Sequence, residues 1–187
     1  MLENLLDLVK QNAGSSIINN PAIPNDRNEE AITETTHSIA GGLQGLLSQG
    51  GGLKDVLKMF GGQDAATNSI SQQLSGGVIQ NLMDKFGLDQ GSAGSIAGGL
   101  IPSVLSNLVG RTNDPNDNGF DIQSIFNSLS GGQTSNMNIA GLLSKVQGGG
   151  LDVDGDGDTD LQDLMALFSK GNSGGSILDK VKGLFGN

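Results

Sequence analysis

From Ile70 to Phe86 the apolar residues step four by four, as Ile70, Leu74, Val78, Leu82 and Phe86. A strand turns alternate side chains to one face, whereas a helix gathers residues three and four apart into one stripe. A chain with this pattern buries those side chains together only as a helix. The pattern recurs. Leu2, Leu5, Leu6 and Val9 define a short amphipathic first helix, Ile32, Ile39, Leu43, Leu46 and Leu47 a second, and Ile96, Leu100, Val104 and Leu108 another. Leu53 to Phe60 is a brief amphipathic piece between them. No segment alternates with period two over the length of a strand, so the expected fold is all-α.

Breakers and caps set the boundaries. Pro21 and Pro24 make Asn19 to Asn25 a turn, and Asp26 followed by Glu29 resembles a capping box opening the second helix, which should end near Gly50 to Gly52. Pro102 lies inside a helical stripe and should kink or restart that helix. The run Arg111 to Asn118 is rich in turn residues and reads as a linker, after which Phe120 to Leu129 and Asn138 to Val146 are short helical pieces separated by Gly131 to Asn136. The implied organisation is a Gly-rich helical repeat domain over 1–110, a linker with short helices over 111–150, and a C-terminal portion over 151–187.

The repeat is explicit: SIAGGL stands at Ser38 to Leu43 and again at Ser95 to Leu100, each time ahead of a Leu-rich continuation. A duplicated helical hairpin would explain it. The related SGGV at Ser75 to Val78 places a third Gly pair inside a helical pattern. Each interior Gly costs roughly 0.5 to 1 kcal/mol relative to Ala. Close approach of two helices is the natural compensation; frayed helices in a low-complexity chain are the other reading.

Residues Leu151 to Leu164, LDVDGDGDTDLQDL, carry the one spacing that chemistry would demand. On the twelve-residue frame of an EF-hand loop, Asp152, Asp154 and Asp156 fall at positions 1, 3 and 5, Gly157 at 6, Asp158 at 7, Asp160 at 9 and Asp163 at 12. A hard cation wants six to eight oxygens, and alternate residues of a tight loop aim theirs at one centre. Position 7 ligates through its carbonyl, so the Asp158 side chain is dispensable, and Asp160 acts through a water. Two departures lower the expected affinity for Ca2+ and admit Mg2+: Asp163 replaces the longer bidentate Glu, and Thr159 stands where an aliphatic residue is usual. Gly148, Gly149 and Gly150 interrupt any helix entering the loop, so a loop followed by one helix is expected, with the stripe Leu161, Leu164, Met165 and Phe168. The terminal Ile177, Leu178, Val181, Leu184 and Phe185 repeat that stripe across the Gly171 to Gly175 turn. The bland alternative is an acidic flexible linker that holds no ion.

Asp152 to about Phe168 resembles the calcium loop of dockerin modules. Those modules carry two such repeats, and one is found here, so the resemblance implies an ion site more than docking to a cohesin. Over about Met1 to Gly150, MLENLLDLVKQNAG, the SIAGGL helices and FGLDQGSAGSIAGGLIPSVLSNLVG are similar to the YidB-like family of small bacterial proteins of unknown function. That resemblance implies an all-helical, Gly-rich fold without established enzymatic activity, and no catalytic residue is carried over.

Composition narrows the function. Among 187 residues 31 are Gly, Trp, Tyr and Cys are absent, and Phe is sparse, so the expected core is Leu, Ile, Val, Ala and Met, soft and thinly packed. Disulfides and thiolate chemistry are excluded. The net charge is −10, and the six loop aspartates supply much of it, a poor balance for nucleic acid. The only histidine, His37, has no evident partner, and neither a nucleophile elbow nor a phosphate loop is written in the chain. The N-terminus lacks a basic leader and a small-residue cleavage site, which makes the cytoplasm the expected compartment. Gly91 to Gly110 has the length of a membrane span but reads as too polar for one. The expectation is therefore a non-catalytic, calcium-binding scaffold or interaction protein, with an unknown protein partner or self-association through Gly- and Leu-faced helices. A membrane-associating Gly-rich helical protein and a dockerin-like adaptor are the alternatives.

Overall fold

In the computed structural model the described residues are 1–48, 52–117 and 119–147. They form seven α-helices and no strand: α1 (Leu2–Ala13), α2 (Asn28–Ser48), α3 (Gly52–Phe60), α4 (Asp64–Phe86), α5 (Gln90–Thr112), α6 (Ile122–Leu129) and α7 (Ile139–Gln147). The all-α expectation holds. The ion loop and the C-terminal stripes lie outside the described residues.

The packing follows the stripes. α1, α2, α4 and α5 close into a ring in which α1 packs on α2, α2 on α4, α4 on α5 and α5 back on α1. Ile32, Ile39, Leu43 and Leu46 of α2, Ile70, Leu74, Val78 and Leu82 of α4, and Ile96, Leu100, Val104 and Leu108 of α5 are all buried in it. Burying each such side chain stabilises the fold by about 1.5–3 kcal/mol. α3 packs across α2 and α4, α7 on α3, and α6 on both α7 and α2. The short pieces expected beyond a linker therefore belong with the ring in one compact unit, Met1–Gln147. Phe60 of α3 and Phe126 of α6 join them, fully buried with ring centroids 5.4 Å apart. An aromatic pair thus stands where the composition pointed to an aliphatic core.

Several local expectations are corrected. α1 buries Leu5, Leu8, Val9 and Ala13, while Leu2 is 44% exposed, so the inward stripe starts one turn later than the spacing predicted. The chain then runs into a π-helical turn, Gly14–Ile18, before the prolines. The Asp26–Glu29 capping box does not form. Pro24, at φ −58° and ψ 136°, starts a 3-10 turn over Asn25–Arg27 whose Arg27 N–H donates to the Pro24 carbonyl at 2.8 Å. Asp26 therefore sits inside a turn rather than at a cap, and Glu29 instead pairs with Lys10 of α1 at 3.3 Å. Pro102 does not restart α5, which is continuous through it. Proline leaves the carbonyl four residues earlier without its helical donor. Here that residue is Gly98, on the exposed face where water can serve.

The glycine pairs do not mediate close packing as expected. In both copies of SIAGGL the Ile, Ala and Leu face the core: Ile39, Ala40 and Leu43 in α2, Ile96, Ala97 and Leu100 in α5. The glycines lie beside that stripe. A Cβ at Gly41, Gly76, Gly77 or Gly98 would meet nothing. Among these three pairs only Gly42 would overlap a neighbouring helix, at Leu74 Cδ2 of α4.

Helix entries are capped where the sequence places Asp. Asp89 accepts from the N–H groups of Gly91 and Ser92 at 2.9 and 3.0 Å and from the Ser92 hydroxyl at 2.7 Å, and Asp121 accepts from Ser124 N–H at 2.8 Å. α4 ends on Gly87 at φ 67°, a left-handed cap that glycine adopts without strain.

Candidate functional site

Asp152, Asp154, Asp156, Asp158, Asp160 and Asp163 all lie outside the described residues. Among the described residues no three His, Cys, Asp or Glu side chains come together in a way that could hold a metal ion. His37 is exposed on α2.

The described unit does carry a groove that the sequence reading did not assemble. Gly42 and Gly45 leave α2 without side chains where it passes Gly77 of α4, and the opening of ≈ 360 Å³ is lined further by Ser38, Leu46, Gln73 and Leu74. Nothing that lines it is titratable. Its one hydroxyl is engaged, since Ser38 Oγ donates to the Glu34 carbonyl at 2.9 Å and accepts from Asn81 Nδ2 at 2.6 Å. The groove can therefore receive a group by shape and weak polar contact, but it has no nucleophile paired with a base. A second hollow, of ≈ 410 Å³, is formed within the turn from Ile18 to Asn25, where Ile18 is 42% exposed.

Charged groups in the described unit act as fasteners. The three glutamates at the head of α2 each reach a cation on a different element: Glu29 takes Lys10 of α1, Glu30 takes Arg27 of the 3-10 turn at 2.9 Å, and Glu34 takes Lys85 of α4 at 2.6 Å. Arg27 also stacks over the Phe86 ring, 4.4 Å from its centroid, and donates to the Lys85 carbonyl at 3.0 Å. A second clamp lies at the other end of α5. Arg111 bonds Asp117 at 2.7 Å and covers Phe120 at 4.1 Å. The hydrogen bond from Arg27 holds the Glu30 carboxyl below its ordinary range, and that from Arg111 does the same for Asp117. The Ser92 hydroxyl lowers Asp89, and the Ser124 amide lowers Asp121. Each of these shifts belongs to a cap or an ion pair and has a structural cause.

Sequence reasoning took Arg111 to Asn118 for a plain linker and so missed the second clamp. Its only linear signal was an Arg and an Asp six residues apart ahead of an aromatic. In comparisons with known proteins, the chain matches no family model, no curated protein and no solved structure.

Proposed function

We propose that the protein is a non-catalytic, calcium-binding helical scaffold, in which the bundle gives a stable body and the Asp152 to Asp163 loop holds the ion. The observation that carries this reading is the register of the aspartates. Asp152, Asp154, Asp156, Asp160 and Asp163 occupy every side-chain ligand position of a calcium loop, with Gly157 at its sharp turn. The resemblance to YidB-like proteins goes with the same reading, since it implies a Gly-rich helical body with no established enzymatic activity. A partner protein or a second copy of the chain is the occupant a scaffold of this kind serves, and the cytoplasm is the compartment proposed.

Calorimetric titration of the full chain with Ca2+ and then Mg2+ tests it. One Ca2+ site is expected, weaker than a site closed by Glu, with measurable Mg2+ competition. Asp152→Ala and Asp156→Ala should each abolish binding, while Asp158→Ala retains most of it because that position ligates through its carbonyl. Equal losses at all three positions would mean a diffuse acidic cloud rather than a caged ion.

A further inference from the structure

Charge is spread unevenly over the bundle. No Asp, Glu, Lys or Arg stands in residues 38–48 of α2, 65–83 of α4 or 90–110 of α5. α4 keeps its charges at its two ends, as Asp64, Asp84 and Lys85, and α5 has only Arg111, in its last turn. By contrast, the 12 residues of α1 include Glu3, Asp7 and Lys10, and the 9 of α3 include Lys54, Asp55 and Lys58.

The three uncharged stretches are neighbours. α4 packs on α2 at one flank and on α5 at the other, so their outward sides form one surface. Gln44 of α2, Ser69, Gln72 and Gly76 of α4, and Ser95 and Ser106 of α5 are exposed on it. The groove of ≈ 360 Å³ between α2 and α4 opens there too. The two most exposed large apolar side chains of the described unit, Leu2 and Ile18, lie elsewhere, so the face has no anchor for a lipid surface.

Electrostatics selects what such a face can meet. It offers a charged partner nothing to pair with. A second copy is different. The chain carries a net charge of −10, so two copies repel unless they approach through a neutral side. A two-fold contact also sets the same patch against itself, where a charged group would meet its like or lose water without an opposite partner. Ser, Asn and Gln each donate and accept, so a surface built of them complements itself. Its size is also sufficient. The 23 residues of α4 span about 35 Å, and three helices 8–10 Å apart cover about 20 Å across, or about 700 Å², against roughly 800 Å² per partner in a standard interface.

We infer that the α2–α4–α5 face is where two copies of this chain meet, as an isologous dimer with α4, the middle helix, nearest the axis. Gly41, Gly76 and Gly98, whose space within the chain is open, let the two backbones come close. With no aromatic or Arg anchor on the face, the dimer dissociates in the micromolar range. None of the loop aspartates takes part, so the inference goes beyond the ion-binding reading and does not depend on it.

The test is sedimentation equilibrium of the full chain, in Ca2+ and in chelator, at about 20 mM and about 500 mM NaCl. A dimer is expected in both ion conditions, about tenfold tighter at the higher salt, because salt screens the repulsion between copies and no ion pair crosses the contact. Gln72→Glu and Gln72→Lys, with helicity checked by circular dichroism, should each weaken it by about tenfold or more, since either charge is stripped of water there. The same two changes at Gln11, exposed on α1 away from the face, should move it by less than about twofold. A chain that stays monomeric into the millimolar range overturns the inference. So does a Gln72→Lys chain that dimerises more tightly, which would trace association to net charge, or a pair of Gln11 variants as impaired as those at Gln72. A dimer seen only with Ca2+ overturns it while leaving the ion site standing, and a dimer in a chain that binds no Ca2+ upholds it while the ion site falls.

Discussion

The same six residues, SIAGGL, lie in α2 and in α5, and the two copies share their inward face but not their outward one. Inward, Ile39 and Ile96 are equally buried, as are Leu43 and Leu100. Outward, the first copy borders the groove against α4, where Gly42 lies close under Leu74, while the second faces open space apart from an ordinary contact between Gly99 and Ser16 Oγ at 3.6 Å. The repeat thus conserves what the core needs and leaves the glycines to their surroundings. The helix heads differ in the same way. α2 is entered through an ion-paired cluster, α5 through an aspartate cap.

The largest effect should come from the shared face. Ile39→Ala and Ile96→Ala should each destabilise the bundle by about 2–5 kcal/mol, the usual cost of cutting a buried Ile to Ala. Chemical denaturation of the two variants should give losses that match closely. A loss confined to one of them would mean that the copies are equivalent in sequence alone.

That inward face is the part of the fold the sequence made legible. Ile70 to Leu82 and Ile96 to Leu108 step by four because a helix permits only that spacing on one side, and every residue of those two runs is buried. What escaped depends on neighbours that a linear pattern does not name. The Asp26–Glu29 pair matched a capping box, yet the fixed backbone of Pro24 started a tighter turn ahead of it. The Phe60–Phe126 pair and the Arg111–Asp117–Phe120 clamp join residues from separate elements or across a reversing loop. The groove was hidden for the same reason, since Gly45 and Gly77 acquire meaning only once α2 and α4 are side by side. The aspartate loop is the reverse case, a candidate that rests on spacing alone and lies outside the described residues.

A second, smaller effect should separate the copies. Ala in place of an open helical Gly stabilises by about 0.5–1 kcal/mol, so Gly41→Ala, Gly98→Ala and Gly99→Ala should all raise the unfolding midpoint. Gly42→Ala should not. Its new methyl would overlap Leu74 Cδ2, and moving that side chain off its packing offsets the helix-propensity gain. Equivalent positions in the repeat, 42 and 99, should therefore respond with different sign in thermal melts. A gain at both would show that Leu74 swings aside freely and that the groove is wider than its lining implies.

The smallest effect should distinguish the two helix heads by their response to acid and salt. Glu30 is lowered by its bond to Arg27, and Asp89 by the Ser92 hydroxyl and the amides behind it. In both cases the folded value lies below the unfolded one. The contribution of each is therefore fully present above the ordinary carboxylate range and is lost as pH falls through the depressed folded value. Thermal melts of Glu30→Gln and Asp89→Ala should then converge on the parent chain in strong acid and diverge from it at neutral pH. Salt breaks the symmetry. An exposed ion pair is screened once the Debye length shrinks to about 3 Å near 1 M, whereas short hydrogen bonds from a hydroxyl and backbone amides are not. At neutral pH and about 1 M salt, Glu30→Gln should be indistinguishable from the parent while Asp89→Ala keeps its lowered midpoint. If both deficits vanished together, the head of α5 would be held by the charge of Asp89 and not by the geometry of its cap.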